Sequence, residues 1–196
     1  MRRGLPVLPL FSSEISLGAT VNRSIMFLDL ARRMGFCEGE PGSNPRFGFV
    51  EFAPPGSSHP VLMGAAIKWA ATRFQAFAPR ILYIEAPLDP RHMGDKTTQK
   101  TFRDLIGLVA SVEGTAERCG INTIREVGKS TVTAFMFPAG RPKGDIKQAT
   151  ISRVRHLGFE TWDDNAADAI CGWLYACAQV DPQSSILATP LFGRAG

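Results

Sequence analysis

Two short apolar runs, each ending in an acidic residue, constrain the fold of this chain more than any other feature. Residues 24–29 read SIMFLD and residues 80–85 read RILYIE, and each run has the length and composition of a buried strand. Between them, residues 61–77 have helical spacing, with Leu62, Ala66 and Trp69 recurring at intervals of three or four. Strands separated by helices predict an α/β fold with a mainly parallel sheet.

The remaining pattern adds further strands and helices. Residues 47–52 alternate in polarity and predict a strand, so that the sheet carries a hairpin at one edge. We expect a turn over 31–35 and a loop over 38–45, and a third early strand near 57–61 stays open. Further along, the pattern predicts a strand over 121–127 and helices over 97–119, 129–135, 145–156 and 164–180.

The length and composition indicate one globular domain with terminal extensions. The chain has 196 residues, of which 44% are hydrophobic and 20% charged, as in proteins with a substantial core. No apolar run reaches the ~20 residues that a membrane helix requires. The N-terminal MRRGLPVLPLFSSE carries two prolines and no cleavage motif, so we expect an extension, not a signal peptide. The predicted domain spans 24–180, with an extension over 1–23 and a tail over 181–196.

Cysteine usage favours a reducing compartment, and we expect a cytoplasmic protein. None of Cys37, Cys119, Cys171 and Cys177 forms a C-x-x-C pair, so a structural zinc site is not indicated. Cys171 and Cys177 fall within the last predicted helix, where we expect them to be small core residues.

The charge distribution is uneven along the chain. The net charge is +4, and residues 125–155 are rich in lysine and arginine, with only Glu126 and Asp145 opposing them. An acidic segment without basic residues follows over 160–168. A basic surface beside an acidic cluster suits a polyanionic substrate held near bound cations. Ordinary solvated helix faces are the alternative explanation.

Four carboxylates are candidates for one site. In open α/β sheets, sites form at the carboxyl ends of strands, where Asp29 and Glu85 would face each other if their strands are adjacent and parallel. Two buried carboxylates repel each other unless they are protonated or bind a cation. Asp168 and Asp164, one helical turn apart, add further oxygens, and an all-oxygen cluster suits Mg²⁺ or Mn²⁺.

Each acid also has a simpler explanation. Asp29 can start a turn, Glu85 can be a charge at the end of a strand, and Asp163 or Asp164 can cap a helix. Asp168 is harder to explain in this way because it lies about one turn inside the predicted helix, among small residues. The acids carry more weight together than any one of them carries alone.

Several motifs of the sequence, in their order along the chain, resemble those of the RuvC-like crossover-junction endonucleases, especially the compact phage-type members. The resemblance covers about residues 25–175 and rests on IMFLDLARRMGF, ILYIEAPL, TFRDLIGLVASVEGTAERCG, REVGKSTVTAF, GRPKGDIKQ and DDNAADAICGW. It implies a ribonuclease H-like fold, with a mixed sheet flanked by helices. It also implies Mg²⁺-dependent cleavage of Holliday junctions or other branched DNA by a homodimer, with the long helix 97–119 as our candidate interface.

Carried over by position, the resemblance implies that Asp29, Glu85 and Asp168 are metal ligands, with Asp29 bridging two ions. The fourth family acid falls where this chain has Asn165. Asp164 is a candidate substitute because residues four apart share a helix face. We expect activity, with a second metal site that depends on Asp164 or Asn165.

The resemblance also implies roles in binding DNA. Lys143 matches a family lysine near the scissile phosphate, and Lys129 matches one that supports DNA binding. Leu88 stands where some members have an aromatic wedge, so a wedge here would be aliphatic or absent. Further predicted phosphate contacts, which give affinity without sequence readout, are Arg91, Lys96, Lys100, Arg103 and Lys147.

One motif argues for a nucleotide and is rejected. Residues 128–131 read GKST after a strand, like the end of a phosphate-binding P-loop. That loop needs a glycine five residues before Gly128, where this chain has Thr123. We expect no bound nucleotide and no membrane partner. Two alternative functions stay open: another ribonuclease H-like nuclease, acting on flaps, forks or packaged phage DNA, or an inactive branched-DNA-binding protein.

Overall fold

The computed structural model describes residues 22–87 and 98–183 and contains a five-stranded sheet with helices on both faces. The predicted extension and tail lie almost entirely outside these ranges. The elements in chain order are β1 Ile25–Asp29, β2 Arg33–Gly39, β3 Arg46–Glu51, α1 His59–Ala76, β4 Ile81–Glu85, α2 Gln99–Arg118, β5 Ile124–Val127, α3 Lys129–Met136, α4 Ile146–His156 and α5 Asp164–Val180.

The sheet is mixed, as expected for a ribonuclease H-like fold. Its strand order is β3-β2-β1-β4-β5. The first three strands form an antiparallel meander, whereas β1, β4 and β5 run parallel. The parallel half follows from the helices that connect its strands, since a parallel pair needs a crossover. β1 lies at the centre, between both halves.

The prediction missed β2, because it placed a turn over 31–35 and a loop over 38–45. Residues 33–39 form a strand that is paired with β1 on one side and β3 on the other. Five of its residues in a row are buried, so no alternation marks it as a half-exposed strand. The buried Glu38, 3% exposed, is neutralised by an ion pair with Arg73 of α1. The possible strand near 57–61 was also wrong, because α1 begins at His59.

Side chains of β1 alternate between two hydrophobic layers. Met26 and Leu28 pack in the layer that contains the buried faces of α1 and α2. Ile25 and Phe27 pack in the opposite layer, which contains α5 and the apolar residues of α3 and α4. Because strands and helices cover β1 on all sides, its first four residues are fully buried.

The cysteines belong to the second layer. Cys37, Cys171 and Cys177 are buried, as predicted for the two in α5, and all four cysteines are free thiols. Burial raises the pKa of each of these three thiols, so they stay protonated at neutral pH. Within the described ranges, no helix is long and apolar enough to span a membrane.

Candidate active site

Two of the predicted acids meet at one edge of the sheet. Asp29 is the last residue of β1 and Glu85 is the last residue of β4. The two strands are parallel neighbours, with Leu28 aligned on Ile84, so the following acids emerge side by side. The structure therefore places both carboxylates at the carboxyl ends of adjacent strands, where sites form in open α/β sheets.

Helix α5 brings its aspartates to the same edge, and they differ in role. Asp163 is the N-cap, and its side chain accepts a hydrogen bond of 3.0 Å from the backbone N–H of Ala166. It also forms an ion pair with Arg33 of β2. Asp163 therefore provides the hydrogen-bond acceptor for a backbone N–H group that has no partner within the first turn of the helix. Asp164 and Asp168 are not needed for this, and both lie close enough to Asp29 to raise its pKa.

Close contacts between glycines and neighbouring groups set the height of α5 above the sheet. A Cβ on Gly35, which pairs with Asp29 across the sheet, would lie 2.0 Å from the carbonyl oxygen of Asn165. A Cβ on Gly172 would lie 2.1 Å from the Phe27 ring. Both distances are too short for any side chain, so α5 reaches its position only because these two residues are glycine.

Lys129 lies among the carboxylates. It begins α3 directly after β5, and its Nζ is 3.0 Å from Asp168 Oδ2 and 3.6 Å from Glu85 Oε1. Gly128, the N-cap residue of α3, has an extended backbone, with φ −71° and ψ 141°. The GKST segment thus begins a helix and supplies an ammonium group to the acids.

The electrostatics of the site follow from burial and mutual repulsion. Burial, more than any neighbour, raises the pKa of Asp29; Lys129 opposes this rise, and Asp168 and Asp164 add to it. Burial and then the Asp29 charge raise the pKa of Glu85 to about 7. Burial lowers the pKa of Lys129, but attraction to Glu85, Asp168 and Asp29 outweighs it, so the net pKa is raised. The site thus favours positive charge.

Asp164 has partners of its own. The ammonium of Lys147, in the first turn of α4, donates a hydrogen bond to Asp164 Oδ2, and the amide of Asn165 donates to Oδ1 over 3.1 Å. The Lys147 hydrogen bond lowers the pKa of Asp164, while Asp164 raises the pKa of Lys147. Both oxygens of Asp164 are therefore engaged, and its carboxylate stays ionised.

The chemistry of these donors fits a hard divalent cation, because the acids offer only oxygen and two of them are buried. In the arrangement described, however, no three His, Cys, Asp or Glu side chains of residues 22–87 and 98–183 converge closely enough to hold a metal ion. The Lys129 ammonium instead provides positive charge between Glu85 and Asp168. A cation would therefore have to displace it or bind beside it.

The other predicted residues lie further out. Lys143 is exposed in the loop between α3 and α4, and Lys100 and Arg103 are exposed in the first turns of α2. Leu88, Arg91 and Lys96 lie outside the described residues.

Sequence reasoning gave no role to Trp162 or Arg33. Trp162 immediately precedes the N-cap and is 75% exposed. Arg33 anchors the N-cap residue to β2 and stacks on the Phe49 ring, 4.0 Å from its centroid. An aromatic residue directly before an acidic helix start was the available signal for Trp162.

Comparison with solved structures shows a RuvC-like fold. RuvC of Thermus thermophilus in complex with a Holliday junction substrate has a TM-score of 0.59 and 11% identity, covering 82% of this chain and 94% of that one. A further Thermus thermophilus RuvC structure has a TM-score of 0.58 and 15% identity, covering 82% and 95%. The yeast mitochondrial Holliday junction resolvase Ydc2 has a TM-score of 0.57 and 12% identity, covering 83% and 82%.

No protein-family model matches the sequence, and no curated protein matches it either. At these low identities the structural likeness concerns the fold, and function must be argued from the residues of the site.

Proposed function

We propose that this chain is a metal-dependent endonuclease that cleaves branched DNA, with the four-way Holliday junction as its substrate. One observation carries the proposal: acids from β1, β4 and α5 gather around one lysine at the carboxyl edge of a RuvC-like sheet. Two solved proteins with this fold are named as Holliday junction resolvases or bind a junction. The sequence motifs that resemble this family include the same acids.

The acids would hold the metal, Mg²⁺ or Mn²⁺, through Asp29, Glu85 and Asp168, with Asp164 or Asn165 completing the site. Such an ion, when bound, activates water and stabilises developing negative charge on a phosphodiester. Glu85, whose pKa is about 7 without metal, must lose its proton to become a ligand. Metal affinity should therefore rise as the pH passes through 7.

The basic residues would bind the phosphates. Lys129 already contacts two of the acids, so its ammonium is positioned to contact the scissile phosphate once a metal neutralises them. Lys147, which pairs with Asp164, and the exposed Lys143 would add further positive charge. Lys100 and Arg103, on α2, would contact DNA arms further from the reaction.

A four-way junction has two symmetric cleavage points, so we propose a two-fold homodimer. Helix α2 is the candidate interface, and Ile106 on this helix is 42% exposed. Light scattering at working concentration should give twice the mass of one chain. A monomer under conditions that support paired cleavage would argue against this assembly.

The decisive test is cleavage of a labelled four-way junction with Mg²⁺, Mn²⁺ or EDTA. Asp168→Asn should abolish cleavage. Asp163→Asn, the same change five residues earlier, should retain it because asparagine is an equally good N-cap. Three-way, flap and fork substrates, run in parallel, separate a resolvase from other nucleases. Equal loss of cleavage in both variants would point to a structural role for these aspartates and would remove the catalytic assignment.

A second candidate, an inactive branched-DNA-binding protein, is favoured by Asp164. Its two oxygens are engaged by Lys147 and Asn165 and are less available to a second ion. This candidate predicts tight junction binding without cleavage in either metal. A gain of cleavage in Asn165→Asp would support it.

A further inference from the structure

Trp162 is an exposed aromatic side chain beside the acidic cluster. It is 75% exposed and lies two residues before Asp164. The chain has three tryptophans, all within the described residues. Trp173 is 2% exposed, and Trp69 packs against Phe36 and Phe52. Trp162 makes no comparable contribution to the core, so packing does not explain its presence.

An arginine covers one face of the Trp162 ring. The guanidinium carbon of Arg155, in the last turn of α4, lies 3.3 Å from the ring centroid. A cation at this distance over an indole is attracted by the negative face of the ring. It also fixes the orientation of the indole on the surface. Because three quarters of the residue is exposed, the opposite face of the ring is open to solvent.

A second exposed aromatic ring, linked to the same N-cap through an arginine, is built in the same way. Among the exposed large hydrophobic side chains in the described ranges, two are aromatic: Trp162 and Phe49, which is 45% exposed. Arg33 stacks on Phe49 and pairs with Asp163, the residue after Trp162. Two arginine-backed rings are thus connected to the residues at the start of α5.

The charges around these rings suit a nucleic acid. The last turn of α4 carries Arg153, Arg155 and His156. Glu160, two residues before Trp162, is exposed, but two of the nearby acids are paired, Asp163 with Arg33 and Asp164 with Lys147. Repulsion of a phosphate by these carboxylates is therefore reduced. A flat ring with a cation behind it, and with Arg153 in the same helical turn, is the arrangement that stacks bases in single-stranded nucleic acid sites.

We propose that Trp162, backed by Arg155, stacks on an unpaired nucleobase of DNA next to the acidic cluster. One open face accommodates one base. Bases inside a duplex are stacked on both sides, so only an unpaired base, as at an opened branch point, can use the ring. Trp162 therefore selects DNA in which a base has left its stack close to the cleavage site. This inference deepens the proposed function and rests on DNA being the substrate.

The test is a binding experiment in EDTA, where the proposed nuclease is silent. The probes are a four-way junction, a single-stranded oligonucleotide and a linear duplex with the sequence of one arm. Junction and single strand should quench the indole emission of the wild type, and the duplex should quench it less. Trp162→Phe should abolish most of this quenching, since Trp173 is buried and Trp69 is partly buried in the opposite hydrophobic layer, while keeping affinity within about threefold.

Trp162→Ala should weaken binding of the junction and single strand about 5- to 150-fold, the range for one stacked base, and duplex binding less than about threefold. Ile67→Ala, which removes a 45% exposed side chain on the opposite face of the sheet, is the matched control and should change nothing. Circular dichroism and thermal melting show whether each variant is folded.

Unquenched emission at saturating DNA, with Trp162→Ala binding like the wild type, overturns the proposal and leaves a surface pair or a protein contact. Equal weakening on duplex and junction also overturns it, because a lost stack cannot affect paired DNA. Failure of the nuclease proposal looks different: quenching and selective binding persist in EDTA, and no metal produces cleavage.

Discussion

Replacing Gly35 by alanine tests whether a close approach between sheet and helix sets the geometry of the site. The added Cβ would lie 2.0 Å from the Asn165 carbonyl oxygen, 2.6 Å from its carbon and 3.1 Å from the Ala169 Cβ. Ordinary contact begins near 3.4 Å, so the start of α5 must recede by about 1.4 Å. The obstacle is backbone on both sides, which a change of rotamer cannot relieve.

Two effects follow from this displacement. Overpacking should lower the free energy of unfolding by about 1–3 kcal/mol. Asp164 and Asp168 ride on the displaced helix, whereas Asp29 and Glu85 stay with the sheet, so the acids separate. A misplacement of about 1 Å can reduce a rate about a hundredfold, and we expect a loss of this size in junction cleavage.

The matched control is Gly64→Ala in α1, where an added Cβ meets nothing within 4 Å. It should leave cleavage unchanged and stabilise the helix by about 0.5–1 kcal/mol. Urea unfolding and single-turnover cleavage of a labelled junction measure both effects. If Gly35→Ala is as stable as the wild type and cuts at the same rate, α5 does not depend on this contact and the geometric argument fails.

Three further perturbations probe the charges. Glu85 has its pKa raised from 4.5 to about 7, so the native state binds this proton more tightly than the unfolded state, and stability falls as the pH rises from about 4.5 to 7. Glu85→Gln, which resembles the protonated acid, should therefore raise the free energy of unfolding by roughly 3 kcal/mol at pH 8 and by less than about 1 kcal/mol at pH 5, in urea titrations with EDTA; an equal gain at both values would contradict the raised pKa. Lys147→Ala should return the pKa of Asp164 upward in an NMR titration and shift stability by less than about 1 kcal/mol, because the pair is exposed; an unmoved pKa would mean that Lys147 is not its main partner. Glu38→Ala should cost roughly 3–5 kcal/mol in thermal melting by leaving the Arg73 charge without its buried partner, whereas the double variant Glu38→Leu with Arg73→Met should recover most of this loss; failure to recover would show that the backbone, not the charge, was disturbed.

The parallel half of the sheet could be predicted from the sequence because each strand there is a short apolar run next to segments with helical spacing. β2 was not readable, since its burial is continuous and its polar residues find partners distant in sequence. Glu38 looks like part of a loop until Arg73 of α1 is placed against it. Burial of a charged residue can be predicted only when its partner is known, and the partner of Glu38 is 35 residues away.

The acids of the site were predicted as a set, and the structure places Asp29 and Glu85 at adjacent strand ends as the pattern implied. The lysines were harder to place. The resemblance gave Lys129 a role in DNA binding and Lys147 was predicted as a phosphate contact, yet each touches a site carboxylate. Lysine side chains are long and pair with the nearest unpaired negative charge. Which carboxylate each lysine contacts therefore depends on how α3 and α4 pack, and no local sequence pattern specifies that packing.

The burial of β1 has a consequence for the order in which the molecule opens. Amide protons of this strand lie between two neighbouring strands and beneath helices on both faces, so they should exchange with solvent only through global unfolding. Helices α3 and α4 are shorter than α5, have fewer buried residues, and carry Lys129 and Lys147. They should open in smaller excursions while β1 stays closed. The acids would then stay in place while Lys129 and Lys147 move away with α3 and α4. Such openings would briefly expose the acids to an incoming cation.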